Sequence, residues 1–184
     1  MSAIKFGPIE DAIFAWVLAG SGLPAVNILW YGQNQPARST PYITLKLAVA
    51  QSRGQDWVAT EVNPTPSAGA ELLQVVRGVR RLTLTVQCFA STPLGALGAC
   101  SILSDIATAA SLPSVGIALN VGGISVADIG DVSAVDGGVN FTVFEPRAVM
   151  TATLYAVAEM SETITSIDSV AVQNTGSGEA FVIP

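Results

Sequence analysis

Three stretches of the chain alternate between apolar and polar residues, which is the pattern of a β-strand with one covered face. The first places Ile43, Leu45, Leu47 and Val49 on one side and Thr44, Lys46 and Ala48 on the other. The second covers residues 81–88 and the third residues 148–158. Because such alternation is typical of antiparallel sheets that lie on a core, it predicts an antiparallel sheet with one face covered.

Residues 8–19 have the apolar spacing of a helix. Pro8 suits the first turn of a helix, and Glu10 and Asp11 complement its N-terminal dipole. Gly20 and Gly22 follow where such a helix would end. The first element of the chain is therefore predicted to be a helix.

A second helix is predicted over residues 93–110, with Ser91 or Thr92 as its N-terminal cap. Its apolar positions are interspersed with small residues, which would let it lie close to the sheet. Residues 112–120 predict another short helical turn. Two main helices are therefore expected to pack on one face of the sheet.

The remaining segments predict shorter strands and turns. Residues 25–31 and 124–132 are expected to be strands, and residues 136–138, Asp-Gly-Gly, a turn after the second of them. Residues 51–69 predict a protruding hairpin or loop in which residues 56–62 could pair. The chain thus predicts a single α+β domain, mainly an antiparallel sheet, over residues 1–160. Residues 161–184 are predicted to be a C-terminal extension or arm, a weak strand followed by a flexible tail.

The composition indicates that something other than water covers part of the surface. A chain of 184 residues suits one domain. Charged residues make up 12% of it, about half of the ~25% usual in soluble domains, whereas apolar residues make up 50%. Since uncharged polar groups are less costly to bury at an interface than charges, the composition favours oligomerisation.

Three charge-free runs, residues 12–37, 82–104 and 106–127, are long enough to raise the question of membrane helices. Each is interrupted by Gly, Pro, Asn or Gln, so no membrane helix is expected. Glu10 and Asp11 lie where the apolar core of a signal peptide would begin, which argues against secretion. The chain is expected to be cytosolic at synthesis.

The sequence offers little for catalysis or for metal binding. It contains no histidine, which excludes Ser-His and Cys-His nucleophile pairs. Cys88 and Cys100 belong to no metal or redox motif. Asp128, Asp131 and Asp136 lack calcium-loop spacing, and no phosphate-binding glycine motif is present. A Ser-Lys pair using Lys5 or Lys46 stays open, but we expect no enzyme, no cofactor and no metal.

Arg77, Arg80 and Arg81 form the one basic cluster. The formal net charge is −6, opposite to that of a stable nucleic-acid binder, so an interface or a solvated strand end is the better interpretation. A different hypothesis is a small-ligand or peptide-binding module on the polar face of the sheet. That face would comprise Thr44, Lys46, Thr83, Thr85 and Gln87.

Several segments, taken in chain order, carry a resemblance to a known family. They are the first helix as far as Trp16, Gln33-Asn34-Gln35-Pro36, Pro41-Tyr42-Ile43-Thr44, Leu84-Thr85-Val86-Gln87-Cys88-Phe89 with the helix after it, and Phe144-Glu145-Pro146-Arg147-Ala148. In this order they resemble the neck or tail terminator proteins of tailed bacteriophages over about residues 8–160. The motifs are short and non-catalytic, so the resemblance rests on their order.

The resemblance implies a structural virion protein of the neck or tail, made in the host cytoplasm. Its family forms a homo-oligomeric ring, usually a hexamer, that caps the tail tube and joins it to the head connector or neck protein. DNA passes through the lumen without specific binding, and no membrane is involved. The charge-poor composition agrees with a ring, because each subunit of a ring buries surface on two sides.

The ring would place several residues at interfaces. The candidates are Gln33, Asn34, Gln35, Pro36, Arg38, Tyr42, Arg77, Arg80, Arg81, Glu145 and Arg147. Pro36 and Pro41 would hold the loop with Arg38 extended, so that it reaches a neighbouring subunit or the tube, although an ordinary surface connection fits equally well. Arg38, Glu145 and Arg147 are the candidates for interface ion pairs.

Overall fold

The computed structural model describes residues 4–32, 39–65, 72–92, 95, 98–138, 144–164, 170–173 and 180–183. Residues 49–51, 136–138, 144–145, 170–173 and 180–183 are described by their backbone alone. The helices are α1 (Phe6–Ser21), α2 (Ala99–Ala109) and α3 (Pro113–Val121). The strands are β1 (Ile28–Trp30), β2 (Tyr42–Ser52), β3 (Trp57–Val62), β4 (Leu72–Phe89), β5 (Ile124–Ile129), β6 (Ser133–Gly138), β7 (Phe144–Ile164), β8 (Val170–Gln173) and β9 (Ala180–Ile183).

The chain divides into two compact units. The larger contains Ile4–Gly54 and Val79–Ala158, and the smaller contains Gln55–Gly78 and Glu159–Pro184. β4 and β7 each contribute residues to both units. The predicted division of the chain into residues 1–160 and residues 161–184 stays a prediction.

The larger unit is built on a mixed sheet. Its strand order is β1-β2-β4-β7-β5, and β6 also pairs with β7. β1 runs parallel to β2, whereas β2–β4, β5–β7 and β6–β7 are antiparallel. The predicted α+β fold with a mainly antiparallel sheet is confirmed.

The alternation along the strands sorts the side chains onto two faces of this sheet, as predicted. Across β2 and β4, Ile43 lies opposite Cys88 and Leu45 opposite Val86, and all four side chains are buried. The same face of β7 carries buried Met150. Because alternate residues point to opposite faces, the polar residues of β2 and β4 share the other face.

The apolar face is covered by helices that lie very close together. α1 packs against both α2 and α3, and Trp16 of α1 is buried. A Cβ atom on Gly20 of α1 would lie 2.7 Å from Ile106 Cα and 2.9 Å from Ala109 Cβ, both in α2. Only a glycine permits this approach, since real Cβ atoms do not come so near to a neighbouring backbone.

The second helix begins later than predicted. α2 starts at Ala99 rather than at residue 93, and its N-cap is Gly98 rather than Ser91 or Thr92. Gly95 has a φ of 103°, a left-handed conformation that cannot continue a helix. The amide of Ala99 instead donates to the carbonyl of Thr92. The predicted short third helix is confirmed as α3.

Other boundaries also differ from the predictions. Only residues 28–30 of the first predicted strand form one, since Ala25–Asn27 make a 3-10 turn. α1 begins at Phe6, which places Glu10 and Asp11 beyond its first turn, and it continues through Gly20, so that Gly22 alone follows its end. The Asp-Gly-Gly segment is not a turn: it lies in β6, with Asp136 opposite Pro146 of β7. The two glycines favour a turn by their local conformational freedom, but here their backbone groups pair with β7.

The smaller unit contains a regular hairpin. β3 pairs antiparallel with the first part of β4, from Trp57 opposite Arg77 to Val62 opposite Leu72. This confirms the predicted pairing for Trp57–Val62, whereas Asp56 lies before the strand. β8 and β9 form a separate two-stranded antiparallel sheet.

No single helix among the described residues is long and apolar enough to cross a membrane. α2 and α3 pass that test together, by length and composition only, and they are bent by 75° at the break between them.

Candidate functional site

Five of the eleven candidate interface residues cannot be placed. Gln33, Asn34, Gln35, Pro36 and Arg38 lie outside the described residues. The backbone of Glu145 lies in β7 opposite Gly137, and its side chain is likewise not described. The roles predicted for these residues stay predictions.

Tyr42 and Arg147 both lie against one aromatic ring, that of Phe89. Tyr42, at the start of β2, lies opposite Phe89, at the end of β4, and their rings stack with centroids 4.7 Å apart at 8°. The guanidinium carbon of Arg147 lies 6.0 Å from the centroid of Phe89. We call Tyr42, Phe89 and Arg147 the arginine stack.

The arginine stack contains an unsatisfied donor. Arg147 Nε is buried and has no hydrogen-bond partner among the described residues. A buried donor without a partner costs about 1–3 kcal/mol, and more when the group is charged. Such groups are rare in folded proteins, and each is a candidate for contact with something outside the chain.

Arg77 ties three strands of the smaller unit together. Its Nη1 donates to Glu61 Oε1 of β3 at 2.8 Å, and its Nε donates to Glu159 Oε2 of β7 at 2.6 Å. Its guanidinium also lies 5.8 Å from the ring centroid of Trp57. The hydrogen bonds to Glu159 and then to Glu61 raise the pKa of Arg77. We call Arg77, Glu61, Glu159 and Trp57 the arginine clamp. Its contacts lie within one chain, so they give Arg77 a structural role that needs no neighbouring subunit.

The two other arginines of the basic cluster lie on β4 in the larger unit. Arg80 Nη1 donates to Ser52 Oγ at 3.4 Å and to the Val79 carbonyl at 3.3 Å. Arg81 lies opposite Gln51 of β2. The interface role of these two residues stays a prediction.

Aromatic residues beside the undescribed loop were not singled out from the sequence. Lys46 Nζ lies 5.0 Å from the ring centroid of Tyr31, and both residues line a hollow of about 410 Å³. The hollow is also lined by Glu10, Trp30, Gly32, Leu45 and Leu47. The adjacent aromatic residues Trp30 and Tyr31, directly before the loop, could have indicated this hollow in the sequence. The other walls come from α1 and β2, which only the fold brings next to this pair.

The polar face proposed for ligand binding is present as a surface. Thr44 lies opposite Gln87 and Lys46 opposite Thr85 across β2 and β4. Of the five residues predicted for that face, Lys46 alone lines the hollow. The polar groups therefore do not converge there, and the ligand-binding hypothesis gains no pocket from this hollow.

The described residues hold no group of three or more His, Cys, Asp or Glu side chains that could bind a metal ion. Both cysteines are free thiols, Cys88 buried and Cys100 half-buried. Burial raises the pKa of Cys88 to about 12, and the nearby Cys100 adds to this rise. A thiol with so high a pKa is a poor nucleophile, so the geometry favours packing over chemistry at Cys88.

Several large apolar side chains are exposed, and three of them lie at α3 and three on β3. Leu112, just before α3, and Ile117 and Val121 on it are exposed. Trp57, Val58 and Val62 are exposed on β3. Contiguous exposed apolar residues mark interaction surfaces more often than scattered ones do.

Comparison with known protein families gives a match over most of the chain. A search of curated proteins finds no match. A family model described as "Phage neck terminator protein" matches residues 7–179 of the chain, which extends beyond the 8–160 on which the sequence resemblance was based. The match covers both the arginine stack and the arginine clamp. The chain therefore belongs to the phage neck terminator protein family, whose members are structural components of the virion neck.

Proposed function

We propose that the protein assembles into a homo-oligomeric ring, a hexamer by family resemblance, which caps the tail tube and joins it to the head connector. DNA passes through the open centre. The observation that carries the proposal is the family match over residues 7–179. The geometry supports an assembling structural protein, because the sites described above offer contacts and packing rather than a catalytic arrangement.

The exposed apolar residues support self-assembly. Leu112, Ile117 and Val121 lie within residues 106–127, a run without a single charged side chain. Burying such a surface against another subunit removes apolar area from water at little cost in charge desolvation. A closed ring buries two different surfaces of every subunit, so it suits a chain with only 12% charged residues.

The arginine stack is the second support. Arg147 Nε is a buried donor without a partner in the described part of its own chain. A carboxylate of a neighbouring copy would satisfy it, since charge-assisted hydrogen bonds to arginine are strong and directional. Arg38 and Glu145 are proposed to form further ion pairs at the same kind of interface.

The net charge suits a conduit for DNA. A lumen rich in lysine and arginine would bind phosphates as counterions are released and would retard passage. The chain carries a formal net charge of −6, with eight basic and fourteen acidic residues. The protein is therefore proposed to surround DNA without binding a particular sequence.

Electron microscopy of the purified protein, alone and after incubation with terminator-free tail tubes, tests the proposal. We expect rings with an open centre in solution or at the end of each tube, and sedimentation of a discrete species several times the 18.9 kDa subunit mass. Monomers that leave tube ends bare, in both low and high salt, would contradict the proposal.

A further inference from the structure

The strand edges of this protein differ in how well they are protected against pairing with another chain. An unpaired edge offers a row of N–H and C=O groups, and proteins blunt it by shortness, bulges, proline or charge. β1 has only three residues. β5 contains a register shift between Val126 and Asp128, and Asp128 is charged. Both edges are therefore protected.

β3 lacks this protection. It pairs with β4 over all six of its residues without a register shift. Its sequence, WVATEV, contains no proline and no basic residue. Its single charge, Glu61, is bonded to Arg77 at 2.8 Å within the arginine clamp. Among the described residues β4 is its only strand partner, so in that part of the chain its other edge is unpaired.

β8 and β9 supply strands that need a partner. In the described part of the chain they pair only with each other, over four residues each. A two-stranded hairpin is at best marginally stable in water, whereas three or more strands can be stable. Their sequences, VAVQ and AFVI, are uncharged, so a third strand can join them without burying a charge.

We propose that the β8–β9 hairpin of one subunit adds to the open edge of β3 in a neighbouring copy. The partner is another copy because a ring contact joins two different surfaces, here an edge from one subunit and an arm from the next. Five residues separate Ile164 from Val170, enough chain to span about 20 Å when extended. This inference rests on the proposed ring and assigns a role to residues 161–184.

Cross-linking between two differently tagged full-length chains tests the inference. One chain carries Thr60→Cys and the other Val172→Cys, and both carry Cys100→Ser so that buried Cys88 is the only native thiol. In assembled rings, free or on tail tubes, a short bis-maleimide is expected to give a product of two-subunit mass that bears both tags. The absence of this product would overturn the inference. A third chain carries both new cysteines, and a cross-link found only within that chain, with no product of two-subunit mass, would overturn it as well.

A charge on β3 provides an independent measurement with a matched control. Val58 of β3 and Val26 before β1 are both 53% exposed. Val58→Lys is expected to reduce the cross-linked product at least tenfold, whereas Val26→Lys should leave it unchanged. Both variants should keep the circular dichroism spectrum and melting temperature of the wild type, which shows that they fold. Equal cross-linking in both variants would refute the inference. Rings that form normally without the two-chain product would refute the inference and leave the proposed function intact. Tube ends that stay bare would instead refute the proposed function.

Discussion

The indole nitrogen of Trp16 donates a hydrogen bond of 2.9 Å to the backbone carbonyl of Ile106. The donor lies in α1 and the acceptor in α2, 90 residues later. The end of α2 tightens there, because the amide of Ala110 donates to Ala107 rather than to Ile106. Trp16 of α1 thus donates to the Ile106 carbonyl of α2, which the amide of Ala110 leaves without a hydrogen bond.

Trp16→Phe should destabilise the subunit by about 2–3 kcal/mol. The change leaves the Ile106 carbonyl without this donor and leaves a space where the indole was. Urea denaturation measures the loss. Trp57→Phe, at a residue that is 56% exposed, is the control and should cost less than about 1 kcal/mol. Equal losses in the two variants would contradict the role assigned to the Trp16 hydrogen bond.

Two glycine-to-alanine changes in helices should have opposite effects. Gly20→Ala places a methyl group against the backbone of Ile106 and should destabilise the protein by about 1–3 kcal/mol. Gly116→Ala in α3 meets nothing within 4 Å and should stabilise it by about 0.5–1 kcal/mol through helix propensity. Thermal unfolding distinguishes them, and a stabilising Gly20→Ala would show that α1 and α2 are less close than described.

The arginine clamp should govern local opening of β3. Arg77→Gln removes the hydrogen bonds to Glu61 and Glu159, so amides of β3 should exchange hydrogen several-fold faster. Arg81→Gln on the same strand is the control. The difference between the variants should shrink at high salt, because the ion pairs are partly exposed. Unchanged exchange in Arg77→Gln would mean that backbone pairing alone holds β3.

The buried thiol of Cys88 should make stability fall at alkaline pH. Its pKa is about 12 when folded, compared with 9.0 for an exposed thiol. Between those values the folded state keeps the proton that the unfolded state loses, so the stabilisation is complete below about pH 9 and is lost towards pH 12. Relative to Cys88→Ala, the wild type should lose up to about 1.4 kcal/mol per pH unit in urea unfolding. Parallel curves for the two proteins would contradict this.

Arg147→Met should separate folding from assembly. Removing the unsatisfied donor of the arginine stack should leave the isolated subunit as stable as the wild type or more stable by about 1 kcal/mol. It should also weaken the ring, which sedimentation at several protein concentrations measures. Arg53→Met is the matched control, because Arg53 is an exposed arginine whose guanidinium carbon lies 5.6 Å from the ring centroid of Tyr155. A variant that assembles like the wild type would exclude Arg147 from the subunit interface.

The strands could be predicted from local pattern because alternation and burial coincide, as in the pairing of Ile43 with Cys88. The start of α2 could not, since it depends on the left-handed conformation of Gly95. Residues that meet across long sequence separations were equally hidden. The sequence singles out Arg77 as basic, but not Glu159, 82 residues away, as its partner. Likewise, Tyr42 and Arg147 are predicted candidates, whereas their shared contact with the ring of Phe89 is a result of the fold.

The aliphatic side chains of Ile117 and Val121 on the outside of α3 also bear on handling of the unassembled subunit. Strongly hydrated salts such as sulfate are excluded from protein surfaces and strengthen apolar association. The free chain should therefore salt out at lower ammonium sulfate concentrations than proteins of similar size with ordinary charge. In the proposed assembly, the same property would favour prompt incorporation of the subunit over accumulation of a free pool.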